Sequence, residues 1–241
     1  MERNLFILSQ LDTTCFQQKA LAEKQISDIE RAYASLCEES FPFGVRLGEL
    51  RRCGEHLIEL TLWPQNGALR TRIFVCYFLR RWITQINELG LGLHVEELSG
   101  SDAPTQNSFF RCWIGVPEKP YYLKDIQFSS ALSLEQYVFF QNFSQPANKE
   151  QLNALGYFEL FYQIKFLPSR KGTSPWRFVL GRDTVECYLF EEAAEDVAFD
   201  AGNVMSALEA LFQSQGYAVE WRVEPKKRER GYYIGMAMIS D

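Results

Sequence analysis

Apolar and polar side chains alternate along two separate segments of the chain, residues 57–63 and residues 184–190. Glu59 and Glu186 occupy the third position of these segments, and each segment ends on an aromatic residue. Alternation with a period of two is typical of a strand that buries one face. We therefore predict a strand in each segment, with the same polarity pattern in both.

The elements predicted after these two strands also occur in the same order. A helical pattern follows each strand and ends at a glycine, Gly90 in one case and Gly216 in the other, as helices commonly do. Each glycine is followed by a strand and then by a last strand that contains Ile-Gly, at residues 114–115 and 234–235. The agreement in order and in glycine positions predicts an internal duplication.

Upstream of the alternating segments, residues 44–50 and 176–180 predict one more strand each. Helices are predicted to begin near Thr14 and near Ser133, because a glutamine three residues further on gives each the pattern of a capping box. Prolines near the middle of the chain then interrupt both periodicities.

The predicted fold class is α+β, with two tandem and diverged α-β-β-α-β-β units. The first unit is expected to span residues 1–120 and the second residues 121–241. Helices packed on one face of an antiparallel sheet would bury the apolar side of the alternating strands.

Composition narrows the cellular setting and the classes of partner. The net charge of −6 gives no overall basic field of the kind that a general nucleic-acid binder needs. No stretch is long and apolar enough for a membrane span, and the first residues are too briefly apolar for a signal peptide. The six cysteines include no CxxC pair, so we expect free thiols and a cytoplasmic protein with no membrane association.

Motifs for catalysis, metals and cofactors are not found in the sequence, and none of these sites is predicted. His56 and His94 have no second histidine or cysteine at the spacing of a metal site. Residues 170–174 carry basic and hydroxyl side chains next to a glycine, but they lack the spaced glycines of a phosphate loop and are expected to form a surface loop.

Carboxylates offer two weaker hypotheses. Glu59 and Glu186 would be paired acids if the duplication brought them together, although the polar side of a strand normally faces water. An acidic stretch precedes the last long helix, where Asp200 is predicted as the N-cap.

The helix predicted at residues 68–89 has apolar side chains on two sides. One side forms an ordinary core stripe, whereas the opposite side combines large apolar residues with arginines: Arg70, Ile73, Phe74, Tyr77 and Arg81. The matching helix of the second unit carries polar residues there. The sequence therefore predicts that this face is covered, either by residues 137–143 of the same chain or by a partner, since aromatic residues beside arginine are typical of interfaces.

From these patterns we predict a non-enzymatic protein-binding scaffold, an adaptor or a chaperone-like subunit that acts in a complex with another protein or as a homo-oligomer. One alternative is an enzyme or small-ligand-binding protein with its site between the two repeats. A second alternative is a nucleic-acid-binding component that uses a basic hairpin with neighbouring tyrosines as stacking groups. The basic residues of this hairpin are Lys226, Lys227, Arg228 and Arg230.

Overall fold

The computed structural model describes residues 16–98, 109–118, 132–167, 169–191 and 193–240. The chain divides into two units, Met1–Ile126 and Gln127–Asp241. Each unit combines helices with a largely antiparallel sheet, which confirms the predicted α+β class. The predicted division at residue 120 falls outside the described residues.

The first unit has two helices and five strands among its described residues. In chain order these are α1 (Glu23–Ser40), β1 (Val45–Leu47), β2 (Arg51–Cys53), β3 (Leu57–Pro64), α2 (Leu69–Glu88), β4 (Gly92–Leu98) and β5 (Phe109–Gly115). A short 3-10 turn, Phe41–Phe43, connects α1 to β1. The strand order is β1-β3-β5-β4, β2 also pairs with β3, and all pairs are antiparallel.

Packing in the first unit follows the alternation of the sequence. Ile58, Leu60 and Leu62 of β3 are buried, and α2 packs on this strand. Burying side chains of this size supplies roughly 1.5–3 kcal/mol each, which is why the period-two pattern fixes the orientation of the strand.

The start of the first helix differs from the prediction. Helix α1 begins at Glu23, where the Gln25 side chain accepts a hydrogen bond from the Ala22 N–H at 2.9 Å. Gln17, predicted to close a capping box with Thr14, instead donates from its side chain to the Pro117 carbonyl at 2.9 Å. Phe16 forms an isolated bridge with Pro117, so this part of the chain pairs with the end of the unit. Thr14 lies outside the described residues.

The second unit has three helices and five strands among its described residues. These are β6 (Val138–Phe140), α3 (Lys149–Ala154), α4 (Phe158–Ile164), β7 (Trp176–Leu180), β8 (Thr184–Leu189), α5 (Ala194–Ser214), β9 (Ala218–Arg228) and β10 (Gly231–Ser240). The strand order is β6-β7-β8-β10-β9, and helix α5 packs on β7, β8 and β9. Strand β6 pairs with β7 in parallel, which the prediction of purely antiparallel sheets did not include. The capping signature at Ser133 opens only a 3-10 turn, Leu134–Gln136.

Strand β9 carries a proline in its interior. The register between β9 and β10 shifts between Tyr233 and Gly235, which are opposite Lys226 and Val223. The shift leaves Glu224 and Pro225 facing one residue of β10, as in a β-bulge. A proline has no N–H for a regular ladder, and both this bulge and the position of β9 at the end of the sheet accommodate it.

The two sheets place their corresponding strands in the same order. In the first sheet β3, which carries Glu59, lies between β1 and β5, and β4 follows β5. In the second sheet β8, which carries Glu186, lies between β7 and β10, and β9 follows β10. The two sheets pair these strands in different registers. In the first, Ile114 of the Ile-Gly pair is opposite Ile58, the residue before Glu59. In the second, Gly235 of the Ile-Gly pair is opposite Cys187, the residue after Glu186. The internal duplication therefore stays a prediction.

Two glycines have nearly the same backbone angle φ but differ in how closely other atoms approach them. Gly216 after α5 and Gly231 before β10 have φ of 96° and 95°. A Cβ on Gly216 would meet nothing within 4 Å, whereas one on Gly231 would lie 2.0 Å from the Leu189 carbonyl oxygen.

We expect Gly216→Ala to cost about 1–2 kcal/mol, the usual strain of a left-handed non-glycine residue. Gly231→Ala should cost about 1–3 kcal/mol more because of overpacking. Urea unfolding of both variants measures the difference, and equal costs would contradict the close approach at Gly231.

The described cysteines are all free thiols: Cys37, Cys53, Cys76, Cys112 and Cys187. Cys15 lies outside the described residues. Within the ranges described, the structure contains no helix with the length and apolar character needed to span a bilayer.

Candidate functional site

Charged side chains of opposite sign converge in the second unit, where the loop before β7 meets the start of α5. Lys171 Nζ contacts carboxylate oxygens of both Glu191 and Asp196, and Arg170 Nε lies 3.3 Å from Asp196 Oδ1. Thr173 Oγ1 donates to Glu191 Oε1 at 3.2 Å. We call these residues, together with Asp200, the loop–acid cluster.

The acidic side chains of the loop–acid cluster are more buried than its cationic side chains. Side-chain exposure is 51% for Lys171 and 33% for Arg170, but 9% and 11% for the Glu191 and Asp196 side chains. Asp200 is fully buried. The cations therefore form the edge of the cluster that is open to solvent, and the carboxylates lie beneath them.

Asp200 is the least expected member of the cluster. Its Oδ1 accepts a hydrogen bond from the Arg170 backbone N–H at 2.8 Å, while its buried Oδ2 has no hydrogen-bond partner among the described residues. Burial above all, opposed by the Arg170 N–H and helped by the charges of Glu191 and Asp196, raises the pKa of this carboxyl from 3.8 to about 7. Near neutral pH, Asp200 is consequently present both as an acid and as a carboxylate.

This position corrects the prediction that Asp200 caps α5. The N-cap residue is Ala193, whose backbone is extended, and Asp200 lies in the second turn of the helix. An N-cap accepts from the helix's own N–H groups. Asp200 instead accepts from a loop residue 30 positions upstream.

The loop itself is held in a fixed turn. Ser169 Oγ accepts from the Ser174 N–H at 3.1 Å, and Arg177 Nη1 donates to the Ser174 and Trp176 carbonyls at 3.2 and 2.7 Å. Ser174 adopts a positive φ of 49°, and Gly172 one of 70°. The segment connects helix α4 to strand β7, whereas a phosphate loop runs from a strand into a helix. Residues 170–174 therefore resemble a phosphate loop only in composition.

Glu59 and Glu186 are each engaged within their own sheet. Glu59 is only 9% exposed, and its Oε1 lies 3.6 Å from Arg111 Nε, so the expectation that it faces water is corrected. Burial, followed by the charge of Glu59, raises the pKa of the neighbouring Cys53 thiol. Glu186 Oε2 accepts from the Tyr188 hydroxyl at 2.6 Å.

Neither histidine belongs to a metal site in the part of the chain that the structure describes. His56 lies in the turn before β3, and His94 is opposite Trp113 in the first sheet. No group of three or more His, Cys, Asp or Glu side chains could hold a metal ion among the described residues.

The aromatic face of α2 is part of the protein interior. Ile73, Phe74 and Tyr77 are 0%, 2% and 6% exposed, and the Phe43 ring in the turn after α1 lies 4.3 Å from the Phe74 ring. The face that the sequence predicted to be covered is therefore buried in the isolated protein, where Phe43 of the same unit covers part of it, because large apolar side chains gain more from this packing than from contact with water.

The two arginines of this face also have contacts within the first unit. Arg70 lies over the Phe74 ring at 5.2 Å, and Arg81 pairs with Glu39 of α1 at 2.7 Å. In α5, Asn203 and Ser206 are also buried, at 2% and 6% exposure, so the predicted contrast between the two long helices is wrong.

The basic hairpin connects β9 to β10, the last two strands in the order of the second sheet. Lys226, Lys227 and Arg228 are the last residues of β9, and Arg230 lies in the turn before β10. All four are exposed. The sequence placed this run between two strands, but the strand continues through its first three residues.

The comparison with known proteins concerns the fold. A scan against protein-family models and a search of curated proteins find no match. Among solved structures, the chain is similar to the crystal structure of a "putative nitroreductase" from Thermotoga maritima. The TM-score is 0.58 at 11% sequence identity, over 92% of this chain and 87% of that one.

This similarity corrects one part of the sequence-based prediction. The proposed role as an adaptor, chaperone-like protein or complex subunit is contradicted, because the shared fold is that of a protein described as an enzyme. The enzyme or ligand-binding alternative agrees better with the comparison.

The loop–acid cluster itself was not predicted. Both halves of it, the basic residues at 170–171 and the acidic stretch at 191–200, are visible in the sequence. These two segments have opposite charges and lie before β7 and after β8, and this pattern in the sequence could have predicted their contact.

Proposed function

We propose that the protein is an enzyme that acts on a small molecule, with the loop–acid cluster of the second unit as the place where the substrate's polar group binds. The observation that supports this proposal is the fully buried Asp200, whose pKa of about 7 and whose Oδ2, without a hydrogen-bond partner among the described residues, set it apart from a structural ion pair. Carboxyls tuned to the working pH by burial are typical of functional sites.

Lys171 would be the residue that contacts the substrate. Hydrogen bonding to Asp196, and the nearby charges of Glu191 and Asp196, raise the pKa of its amine, so Lys171 stays protonated and donates hydrogen bonds. A lysine nucleophile needs a lowered pKa instead. Its role is therefore to polarise an oxygen of the substrate rather than to form a Schiff base.

Asp200 would act on the loop and not on the substrate. Its Oδ1 holds the Arg170 backbone next to Lys171, and its burial keeps it away from solvent. With Asp200 protonated, the two cations and the two remaining carboxylates balance; when Asp200 ionises, the cluster gains one negative charge. A neutral polar substrate is thus favoured over an anionic one, increasingly so above neutral pH.

Reduction of such a substrate is the reaction class that the fold neighbour suggests. A reductase obtains its electrons from a nicotinamide or flavin cofactor, which the side chains cannot replace. The loop does not fit the phosphate of such a cofactor, because Glu191 and Asp196 balance the charges of Arg170 and Lys171 and two loop N–H groups are hydrogen-bonded within the protein. A neutral substrate oxygen needs only one of the three N–H donors of Lys171. We therefore assign the cluster to the substrate.

The test uses neutral nitroaromatic compounds as probes. A bound compound at 100 times its Kd should stabilise the protein by about 2.7 kcal/mol and raise its melting temperature measurably. With nicotinamide and flavin supplied, nitro reduction should consume the reduced nicotinamide. Lys171→Ala should raise KM and diminish the thermal shift.

Lys149→Ala is the matched control, because Lys149 lies over the Phe158 ring in the same unit, outside the cluster. It should leave both measurements unchanged. The proposal is refuted if none of the compounds shifts the melting temperature or supports turnover, or if the two lysine variants behave alike.

A further inference from the structure

Five aromatic rings form a continuous row on the second sheet. The Tyr233 and Tyr188 ring centroids are 5.2 Å apart, Tyr188 and Phe143 are 4.9 Å apart, and Phe143 lies 5.2 Å from Phe139 and 6.0 Å from Phe190. We call these residues the aromatic row. Phe143 and Phe190 are 42% and 41% exposed, although rings of this size are normally buried.

Strand register places the row on the sheet face that is turned away from α5. Tyr188 and Tyr233 are directly opposite each other in β8 and β10. The alternate residues of β8, Val185, Cys187 and Leu189, are fully buried. The row therefore crosses several strands on the outer face, and it is longer than one base or one small planar molecule.

Cations are concentrated at the β10 end of this row. Residues 226–230 contain four basic side chains and one acid, whereas the whole chain has a net charge of −6. Lys226 is opposite Tyr233 and Arg228 is opposite Gly231, so both lie on the face of the row, whereas Lys227 is opposite Tyr232 on the other face. We call Lys226, Lys227, Arg228 and Arg230 the basic tip.

Two glutamates near the row have partners of their own. Glu186 accepts from the Tyr188 hydroxyl, and Glu224 pairs with Lys226 at 3.1 Å. Burial, more than the Glu186 charge, raises the pKa of the Tyr233 hydroxyl, so it stays neutral and adds no negative charge. The remaining cations of the basic tip are exposed next to half-exposed rings.

We propose that the aromatic row and the basic tip together bind single-stranded nucleic acid. Aromatic side chains on a sheet stack unpaired bases, and lysines and arginines beside them contact the phosphates. The bases would lie on the exposed rings of the row, and the strand would leave the sheet along the basic tip. A duplex keeps its bases stacked internally and cannot use the row.

Fluorescence anisotropy with a labelled single-stranded oligonucleotide of mixed sequence tests this proposal, with salt as a variable. Phe143→Ala should weaken binding about 5- to 150-fold, the usual loss for one stacking ring. Arg228→Ala/Arg230→Ala should weaken binding and lower the slope of log affinity against log salt by about two.

The matched controls are Leu155→Ala, an apolar side chain that is 45% exposed elsewhere in the unit, and Arg182→Ala, an exposed arginine in the turn at the opposite end of β8. Both should bind like the wild type. Circular dichroism on each variant verifies that it is folded.

Four binding results would overturn the proposal. They are the absence of oligonucleotide binding at low salt, equal affinity for a duplex of the same length, equal affinity for a free mononucleotide, and loss of binding with the charge variant but not with Phe143→Ala. Self-association that is abolished by Phe143→Ala would assign the row to an interface between copies and would also overturn it.

Discussion

Asp200→Asn should abolish a loss of stability that the wild-type protein shows as the pH rises from about 4 to about 7. The folded protein holds the proton of Asp200 up to a pKa of about 7, whereas the unfolded chain releases it near 3.8. Unfolding between these values therefore releases a proton, and the free energy of unfolding falls as the pH increases. The asparagine variant has no such proton, and it resembles the protonated acid in shape.

The quantity to measure is the difference in free energy of unfolding between Asp200→Asn and the wild type. Their free energies of unfolding should be similar near pH 4, and by pH 8 the variant should be the more stable by up to about 4 kcal/mol. Urea unfolding at a series of pH values gives both curves. Asp183→Asn, at an exposed turn of the same unit, is the control and should parallel the wild type. Parallel curves for Asp200→Asn as well would show that this carboxyl ionises normally.

Phe74→Ala should destabilise the protein by about 3–5 kcal/mol, the usual cost of removing a buried phenylalanine ring. The ring is 2% exposed and packs against Phe43 at 4.3 Å. Truncation leaves a cavity that the turn after α1 cannot fill without moving. Urea or thermal unfolding of the isolated protein measures this effect with no partner present.

Phe41 belongs to the same turn and provides the matched control. It is 63% exposed, and its ring contacts the Arg46 guanidinium. Phe41→Ala should cost less than about 1 kcal/mol, the upper value for an exposed cation–π contact. If Phe74→Ala proved as mild as Phe41→Ala, the face of α2 would not depend on packing within the protein.

The local periodicities predicted the elements well. Alternation at residues 184–190 corresponds to strand β8 at Thr184–Leu189, and the helical pattern at residues 68–89 corresponds to α2 at Leu69–Glu88. Both patterns act over neighbouring residues, where burial of one face decides the structure. The strand after Gly216 was predicted only over residues 217–223, shorter than β9, because the residues that follow are mostly charged. Backbone pairing with β10 extends it to Arg228 whatever the side chains are.

The candidate site could not be predicted in the same way, because it depends on tertiary structure. Arg170 meets Asp200 across 30 residues, after the chain has passed through β7 and β8. A carboxylate near the start of a helix is normally a cap or a solvated charge, and no local pattern distinguishes it from a buried one. The polar residues Asn203 and Ser206 misled the sequence analysis for the same reason, since they are buried despite their polarity.

The proline inside β9 has a consequence for solubility. A long strand at the end of a sheet, as the 11-residue β9 is among the described strands, is the kind of element to which another polypeptide can add, and this is how sheets grow into aggregates. Pro225 has no backbone N–H for such pairing, and Lys226, Lys227 and Arg228 bring mutual repulsion to any second copy that approaches in register. We expect Pro225→Thr combined with loss of these charges to make the end of the second sheet more prone to add a strand from another copy.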